Sequence, residues 1–531
     1  MPEPLWLLAS HDRAAVDTLA AVLHLRAPAA RVLWNRGYRD PASARRFLAP
    51  SLDDLNDPSL LAGIAPAVER VLAAIRNREK ILLYGDYDVD GASSVAILVK
   101  AIELAGGAAS YHVPHRLRDG YGMQSGVLQR AAASGVKLVI SVDTGIRAAA
   151  VLRETAALGL DVIITDHHLP DSELPAALAV LNPNLPGAAY PDKHLCGAGV
   201  AFKLAQALFQ RLNWTPEKVR RVTESFLKLV AIATIADVVP LTGENRVIVK
   251  RGLEALHTVR SPGLRALLEV SGFTQGATLS AGQVAFRIAP RMNAAGRMAG
   301  ADEVIELLLT SDAERARAIA QQLHVLNQER QKTEAGIVLR ALDECARTPV
   351  TPSHAALVFS GADWHRGVVG IVASRLVERF HRPVFVLGED GGLAQGSGRG
   401  IHAFHLLEAL ESMSDLFSRF GGHKQAAGVT LPVNRVAEFR ERLNAYAACR
   451  LTPEDFRQTF ELDASISLDE ATDEAILEVL TLAPFGYGNP SPLFLVSGAE
   501  LDGAPQVLKD KHRILRLRQS GRTLRVKAWN F

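Results

Sequence analysis

From residue 66 to 260 short apolar runs alternate with helical patterns: KILLYGD, SSVAILVKAIELAG, AASYHVPH, KLVISVD, LDVIITDHH and ALAVLNP follow in that order. This alternation predicts an α/β domain over 66–260, doubly wound around a mainly parallel sheet. In an open parallel sheet, ligands sit beyond the carboxyl ends of the strands, where loops deliver side chains into a shared crevice. Three of the runs end there in metal-ligand chemistry. ILLYG leads to Asp86, Asp88 and Asp90, LVISV to Asp143, and VIIT to Asp166, His167 and His168. A long helical pattern over 219–239 brings a further acid, Asp237, just before Pro240 stops it.

Carboxylates gathered in a half-buried crevice repel one another unless cations neutralise them, so divalent metal is the economical explanation. D-x-D-x-D-G also opens a calcium-binding EF-hand loop, but that loop needs Glu at its twelfth position, and counting from Asp86 the residue is Ile97. The blander readings are a capped turn for the aspartates and a hydrogen-bonded strand-end pair for the histidines. Their occurrence together at consecutive strand ends of one α/β unit argues against both. Mixed carboxylate and imidazole ligation suits Mn²⁺ or Mg²⁺ better than a structural zinc. Cys196, Cys345 and Cys449 are too far apart for a C-x-x-C site. Two such ions, about 3.5 to 4 Å apart, can place water in line with a phosphorus and neutralise the charge that develops. No G-x-S-x-G elbow or G-x-x-x-x-G-K-[ST] loop competes.

At 531 residues the chain exceeds a single core, and roughly 100 to 200 residues per domain suggests three or four. Residues 1–65 read as short helices with turns at Ala27-Pro28 and Ala49-Pro50, residues 261–309 as a helical inter-domain segment, and 310–347 as a long polar connector helix. A second α/β domain is expected over 348–450, with strands at AALVFSG and PVFVLG and glycine-rich turns at GEDGGLAQGSGRG and FGGHKQAAG. Alternating patterns over 457–531 (FELDASISL, RILRLRQ, TLRVKAWNF) suggest a small β-barrel. The last of them runs into the terminus, so the barrel is expected to be truncated or to close unusually. The net charge of +2 does not announce a nucleic-acid binder, but VLKDKHRILRLRQSGRTLRVK, PHRLRDGYG and RIAPRMNAAGR concentrate base locally, as a polyanionic substrate requires. With no apolar run of membrane-spanning length and no secretory leader, a cytoplasmic chain is expected.

YGDYDVDG, SVDTGI, TDHH and IADVVPL, in that order and spacing, resemble the motifs of the DHH phosphoesterases. SGRGIHAFHLLEAL and FGGHKQAAG resemble their DHH-associated domain, and the terminal barrel is similar to that of the RecJ branch, the bacterial single-strand-specific exonucleases that degrade DNA from the 5′ end. The resemblance implies two divalent ions, Mn²⁺ or Mg²⁺. Asp86 or Asp88 would hold one with Asp143, and Asp90, His167 and Asp237 the other, with Asp143 bridging. It further implies that Asp166 orients a neighbouring imidazole and that His168 polarises the scissile phosphate. Arg116, Arg118 and Tyr121 would form a substrate wall. Ser397, Arg399, His423 and the Gly421-Gly422 amides would bind substrate phosphate, assisted by Arg287 and Arg291. Arg287, Arg291 and Arg297 are equally open to ion pairing with the connector helix, and Trp364, His365 and Arg366 to core and interface roles. The barrel implies an oligonucleotide-binding fold that grips mainly by charge, with Trp529 and Phe531 its late aromatics.

The expected activity is 5′ to 3′ hydrolysis of single-stranded DNA in repair, recombination and mismatch repair. The expected protein is a monomer, with a single-strand-binding protein and a helicase as partners and no membrane. The rivals are a short-oligonucleotide or cyclic-dinucleotide phosphodiesterase of the same superfamily and a catalytically inert replication scaffold. Length and domain order oppose the first, and the full set of motif acids opposes the second.

Overall fold

The computed structural model describes residues 3–116, 118–120, 122–508 and 511–529; Tyr121 and Phe531 lie outside the described residues. The expected strands form one parallel sheet: β1 (Lys80–Tyr84), β2 (Ala109–His112), β3 (Val136–Val142), β4 (Asp161–Thr165) and β5 (Ala179–Leu181). Their spatial order is β2-β1-β3-β4-β5, every pair parallel. The chain therefore turns outward to one side of β1 and then returns to build the other. The switch point lies between β1 and β3, where the following loops diverge and open a crevice. Helix α1 (Val89–Leu104) starts directly after the aspartate loop, and α2 (Gly197–Gln210) and α3 (Pro216–Ala236) pack against it in one continuous core.

After short helices comes α4 (Ala289–Met298), preceded by a π-helical turn over Val284–Ile288, and then the connector α5 (Ala313–Arg347), which is 35 residues long. The second α/β unit holds β6 (Leu357–Ala362), α6 (Arg366–Phe380), β7 (Val384–Asp390), β8 (Leu393–Arg399), β9 (Arg419–Gly422) and β10 (Ala426–Pro432). Its sheet order is β9-β10-β8-β7-β6, with only β6 and β7 parallel. Both stretches expected to be glycine-rich turns are thus mostly strand. The turns shrink to the Gly391-Gly392 pair between β7 and β8 and to 423–425 between β9 and β10.

Two further expectations are corrected. Ala27-Pro28 is the first turn of a helix, Ala27–Asn35, because proline's fixed φ suits that position. FELDASISL does not enter the terminal sheet. Its strand Thr459–Leu462 pairs in parallel with an N-terminal strand, Leu5–Leu8. The N-terminal helices share a core with Leu482, and Arg36 pairs with Asp463 at 3.0 Å, so the N-terminal segment folds together with the segment that precedes the terminal sheet. Four strands within 500–529 form an antiparallel sheet, built around the hairpin His512–Gln519 with Arg522–Trp529. No single described helix is long and apolar enough to cross a membrane.

Candidate metal centre and phosphate cradle

The aspartate loop is organised by the start of α1. Asp88 caps that helix, its Oδ1 accepting from the amides of Asp90 at 2.9 Å and Gly91 at 3.1 Å. Capping turns Asp90 inward, where it meets a second helix end: Oδ2 accepts from Gly197 N at 2.6 Å and Oδ1 from Ala198 N at 2.7 Å, the first amides of α2. Asp143 follows β3 in a left-handed backbone conformation, φ 59°. Asp166 and His167 follow β4, and Asp237 ends α3.

These groups converge. Ligand atoms of Asp86, Asp88 and Asp143 lie within 4.8 Å of one another, as do those of Asp90, His167 and Asp237, and those of Asp143, His167 and His168. His167 Nε2 is 3.2 Å from Asp143 Oδ1, 3.7 Å from Asp237 Oδ2 and 3.8 Å from Asp90 Oδ2. Asp86 Oδ1 and His167 Nε2 are buried without a hydrogen-bond partner among the described residues. Burial, then the Asp88 charge, pushes the Asp86 carboxyl well up. Burial followed by repulsion from Asp90, Asp88, Asp86 and Asp237 does the same to Asp143. Burial raises Asp90 against the opposing pull of His167, and Asp237 is pushed up to about 9 by burial, Asp90 and Asp88. Burial holds the His167 imidazole below its usual value, which leaves it neutral and able to ligate. A donor set of hard oxygens with one neutral imidazole, crowded enough to repel itself, fits divalent cations such as Mn²⁺ or Mg²⁺.

Asp166 behaves differently. Burial acts to raise its carboxyl, but hydrogen bonds from His168 and from the Ile146 and His168 amides outweigh that and hold it below the usual range. Its Oδ1 lies 2.7 Å from His168 Nδ1, and its Oδ2 accepts from Ile146 N at 2.9 Å. Burial lowers the His168 pKa, yet the Asp166 hydrogen bond and charge more than compensate, so its net shift is upward.

Beside the acids stands a cluster of guanidiniums from three parts of the chain. Arg116, after β2, lies over the Tyr87 ring at 5.0 Å. Arg297 of α4 is pushed down to about 10 by burial and then by the neighbouring Arg116 and Arg330 charges. Arg399, ending β8, is lowered by burial and then by Arg116. The cluster is drawn together by backbone contacts that leave no room for a Cβ, Gly296 against the Tyr87 carbonyl and Gly367 against that of Arg297. Ser397 lies on β8 near Arg399. Ala426, just beyond the 423–425 turn, pairs with Arg399, so Gly421, Gly422 and the exposed His423 come toward the same end of the sheet.

Arg287 and Arg291 stand outside this cluster. Arg287 Nη2 donates to the carbonyls of Ser271 and Gly272 and its guanidinium covers Phe273 at 4.1 Å, while Arg291 Nε donates to His324 of α5 at 3.2 Å. Arg118 is exposed on the turn after Arg116. Trp364 is buried, His365 caps α6 and Arg366 pairs with Asp390 at 2.9 Å. Asn293, which sequence reasoning passed over, braces the aspartate loop by accepting from Val89 N at 3.2 Å. Its only signal was its place between Arg291 and Arg297.

Comparison with known proteins follows the same divisions. Residues 80–234 match the DHH family, N-terminal domain, 353–448 the DHHA1 domain and 462–531 the RecJ OB domain. The chain is similar to the single-stranded-DNA-specific exonuclease RecJ of Bacillus subtilis, 39% identical over 511 residues, covering 96% of this chain and 63% of that protein. It is 39% identical to the RecJ of Dickeya dadantii over 492 residues, covering 90% of this chain and 84% of that one. Among solved structures, RecJ from Thermus thermophilus in complex with Mn²⁺ superposes with a TM-score of 0.83 at 35% identity, covering 99% of this chain and 74% of that one.

Proposed function

The chain belongs to the RecJ family of single-stranded-DNA-specific exonucleases, and from that premise we propose that it hydrolyses single-stranded DNA from the 5′ end at the Asp143 cluster. The observation that carries the reading is the position of Asp143, which shares one triad with Asp86 and Asp88 and another with His167, beside the Asp90–His167–Asp237 triad. Asp86, Asp88 and Asp143 would hold one divalent ion and Asp90, His167 and Asp237 the other. Bound ions supply Lewis acidity for activating water and for offsetting charge on the phosphate.

The remaining steps fall to side chains. Asp166 fixes the His168 ring through Nδ1 and favours its protonated form, so His168 can donate from Nε2 to an oxygen of the scissile phosphate. Arg116, Arg297 and Arg399, with Ser397 and the Gly421-Gly422 end of β9, form an anion site next to the acids. A phosphate held there fixes the strand end relative to the scissile bond, which gives an exonuclease its register. The basic terminal hairpin grips the strand further along. A monomeric cytoplasmic enzyme of repair and recombination, working with a single-strand-binding protein and a helicase, completes the proposal.

The test compares a long single-stranded oligonucleotide, its duplex and a dinucleotide as substrates with Mn²⁺ or Mg²⁺, for wild type and Asp143→Ala. Wild type should degrade the long single strand in preference to the others, and both Asp143→Ala and chelation should abolish cleavage. Preference for the dinucleotide would indicate a short-oligonucleotide phosphodiesterase, and no cleavage of any substrate would indicate an inert scaffold.

A further inference from the structure

Val238 directly follows the proposed ligand Asp237, and its backbone lies in the left-handed region at φ 59°. The non-glycine residues with positive φ among those described are His24, Arg78, Asp143, Val238, Asp363, His381 and Ser520, and Val238 alone of these is β-branched. A branched side chain in this conformation crowds its own backbone, and the position just past a helix end is where glycine is favoured. Packing does not compensate for the strain, because the Val238 side chain is 64% exposed. Its amide makes only a long bond, 3.4 Å, to the Ile235 carbonyl.

The surroundings show what the side chain meets. Val238 lines a groove of about 780 Å³ whose other walls include Phe286, Asn293, Arg297, Arg375 and Tyr487. Arg297 belongs to the guanidinium cluster and Asn293 braces the aspartate loop, so the groove borders the elements that carry the metal centre. An isopropyl group cannot bind phosphate; it complements the apolar faces of a sugar or a base. Strained backbone clusters at active sites and ligand clamps, where the surrounding structure holds it in place.

We propose that Val238 is a substrate-contact residue whose isopropyl group packs on the sugar and base of the nucleotide at the metal centre. The inference rests on the exonuclease reading and adds to it a residue that selects a nucleotide over a bare phosphodiester. Val238→Gly relieves the strain, so the variant folds, and binding and stability are expected to move in opposite directions. The experiment measures thermal midpoint, Mn²⁺ affinity by calorimetry, and KM and kcat on a single-stranded oligonucleotide, for wild type, Val238→Gly and Val238→Ala. For Val238→Gly the midpoint should equal or exceed that of wild type, Mn²⁺ affinity should be retained, and KM should rise about tenfold, the value of one buried branched side chain, with a smaller change in kcat. Val238→Ala, which keeps a Cβ in the strained conformation, should give a partial KM rise and no gain in midpoint. An unchanged KM in Val238→Gly would overturn the proposal. A lowered midpoint would also overturn it by showing that the side chain packs in the free protein, and weakened Mn²⁺ binding would reassign Val238 to positioning Asp237. If wild type itself leaves single-stranded DNA intact, the exonuclease reading falls first and the inference with it.

Discussion

A methyl group added at Gly197 would place its carbon 2.6 Å from both Cβ and Oδ1 of Asp143, inside any tolerable contact distance. Gly197 opens α2, and its amide, with that of Ala198, holds the Asp90 carboxylate. The same residue therefore supports one proposed ligand through its N–H and leaves room for another by lacking a Cβ. Gly197→Ala retains the amide and removes only the room. Asp143 cannot retreat easily, because it is 2% exposed and its own backbone is left-handed. Overpacking of this kind costs about 1 to 3 kcal/mol. If that cost falls on the ligand geometry, Mn²⁺ should bind about 5- to 150-fold more weakly. Calorimetric titration of the metal-free variant measures this, and hydrolysis of single-stranded DNA should recover when Mn²⁺ is raised in proportion. A Gly197→Ala protein with wild-type Mn²⁺ affinity and wild-type turnover at low metal would refute the placement of Asp143 at the centre of the site.

Other consequences are separable. Asp86, Asp90, Asp143 and Asp237 have folded-state pKa values raised above those of the unfolded chain, so their contribution to stability is present below the ordinary carboxyl range and lost as pH climbs through the raised values, to about 9 for Asp237. The thermal midpoint of metal-free protein should therefore fall over that window, and the rise in midpoint on adding Mn²⁺ should grow; a metal-free midpoint flat with pH would contradict the crowding. Arg297→Lys keeps the charge but loses the planar fork, and KM for a 5′-phosphorylated oligonucleotide should rise about tenfold relative to an unphosphorylated one. Lys203 is fully buried against Glu244, which also accepts from Tyr190 at 2.6 Å and Asn56 at 2.9 Å. Lys203→Met strands that carboxylate and should cost about 3 to 5 kcal/mol in a denaturant titration.

The parallel sheet and the acids at its strand ends were legible because both are local: each apolar run and the polar residues after it occupy adjacent positions. Of the second sheet β6 and β7 were legible but the later strands were not, because glycine is scarce in ordinary strands and its density in GLAQGSGRG suggested turns. Packing explains those glycines: a Cβ at Gly398 would meet the Phe385 ring at 2.5 Å. The pairing of Thr459–Leu462 with Leu5–Leu8 joins segments far apart in the sequence, a partnership no local pattern encodes. Among the arginines before the connector, Arg287 and Arg291 stand four apart and share one face, whereas Arg297 stands on another. The π-helical turn at Val284–Ile288 shifts the helix phase, and spacing alone did not reveal which face meets the acids. Arg116 and Arg399 were named from the resemblance, but the cluster takes a residue from each of three separate segments, so that Arg297 joins them became visible only in three dimensions.

The central claim joins a metal-dependent cleavage to a strand polarity, and a time course on end-labelled single-stranded DNA with Mn²⁺ tests both. A 5′ label should leave as mononucleotide at the earliest times while a 3′ label remains on progressively shorter strands, and chelation should halt both. Early release of the 3′ label, or degradation that continues in chelator, would contradict the account.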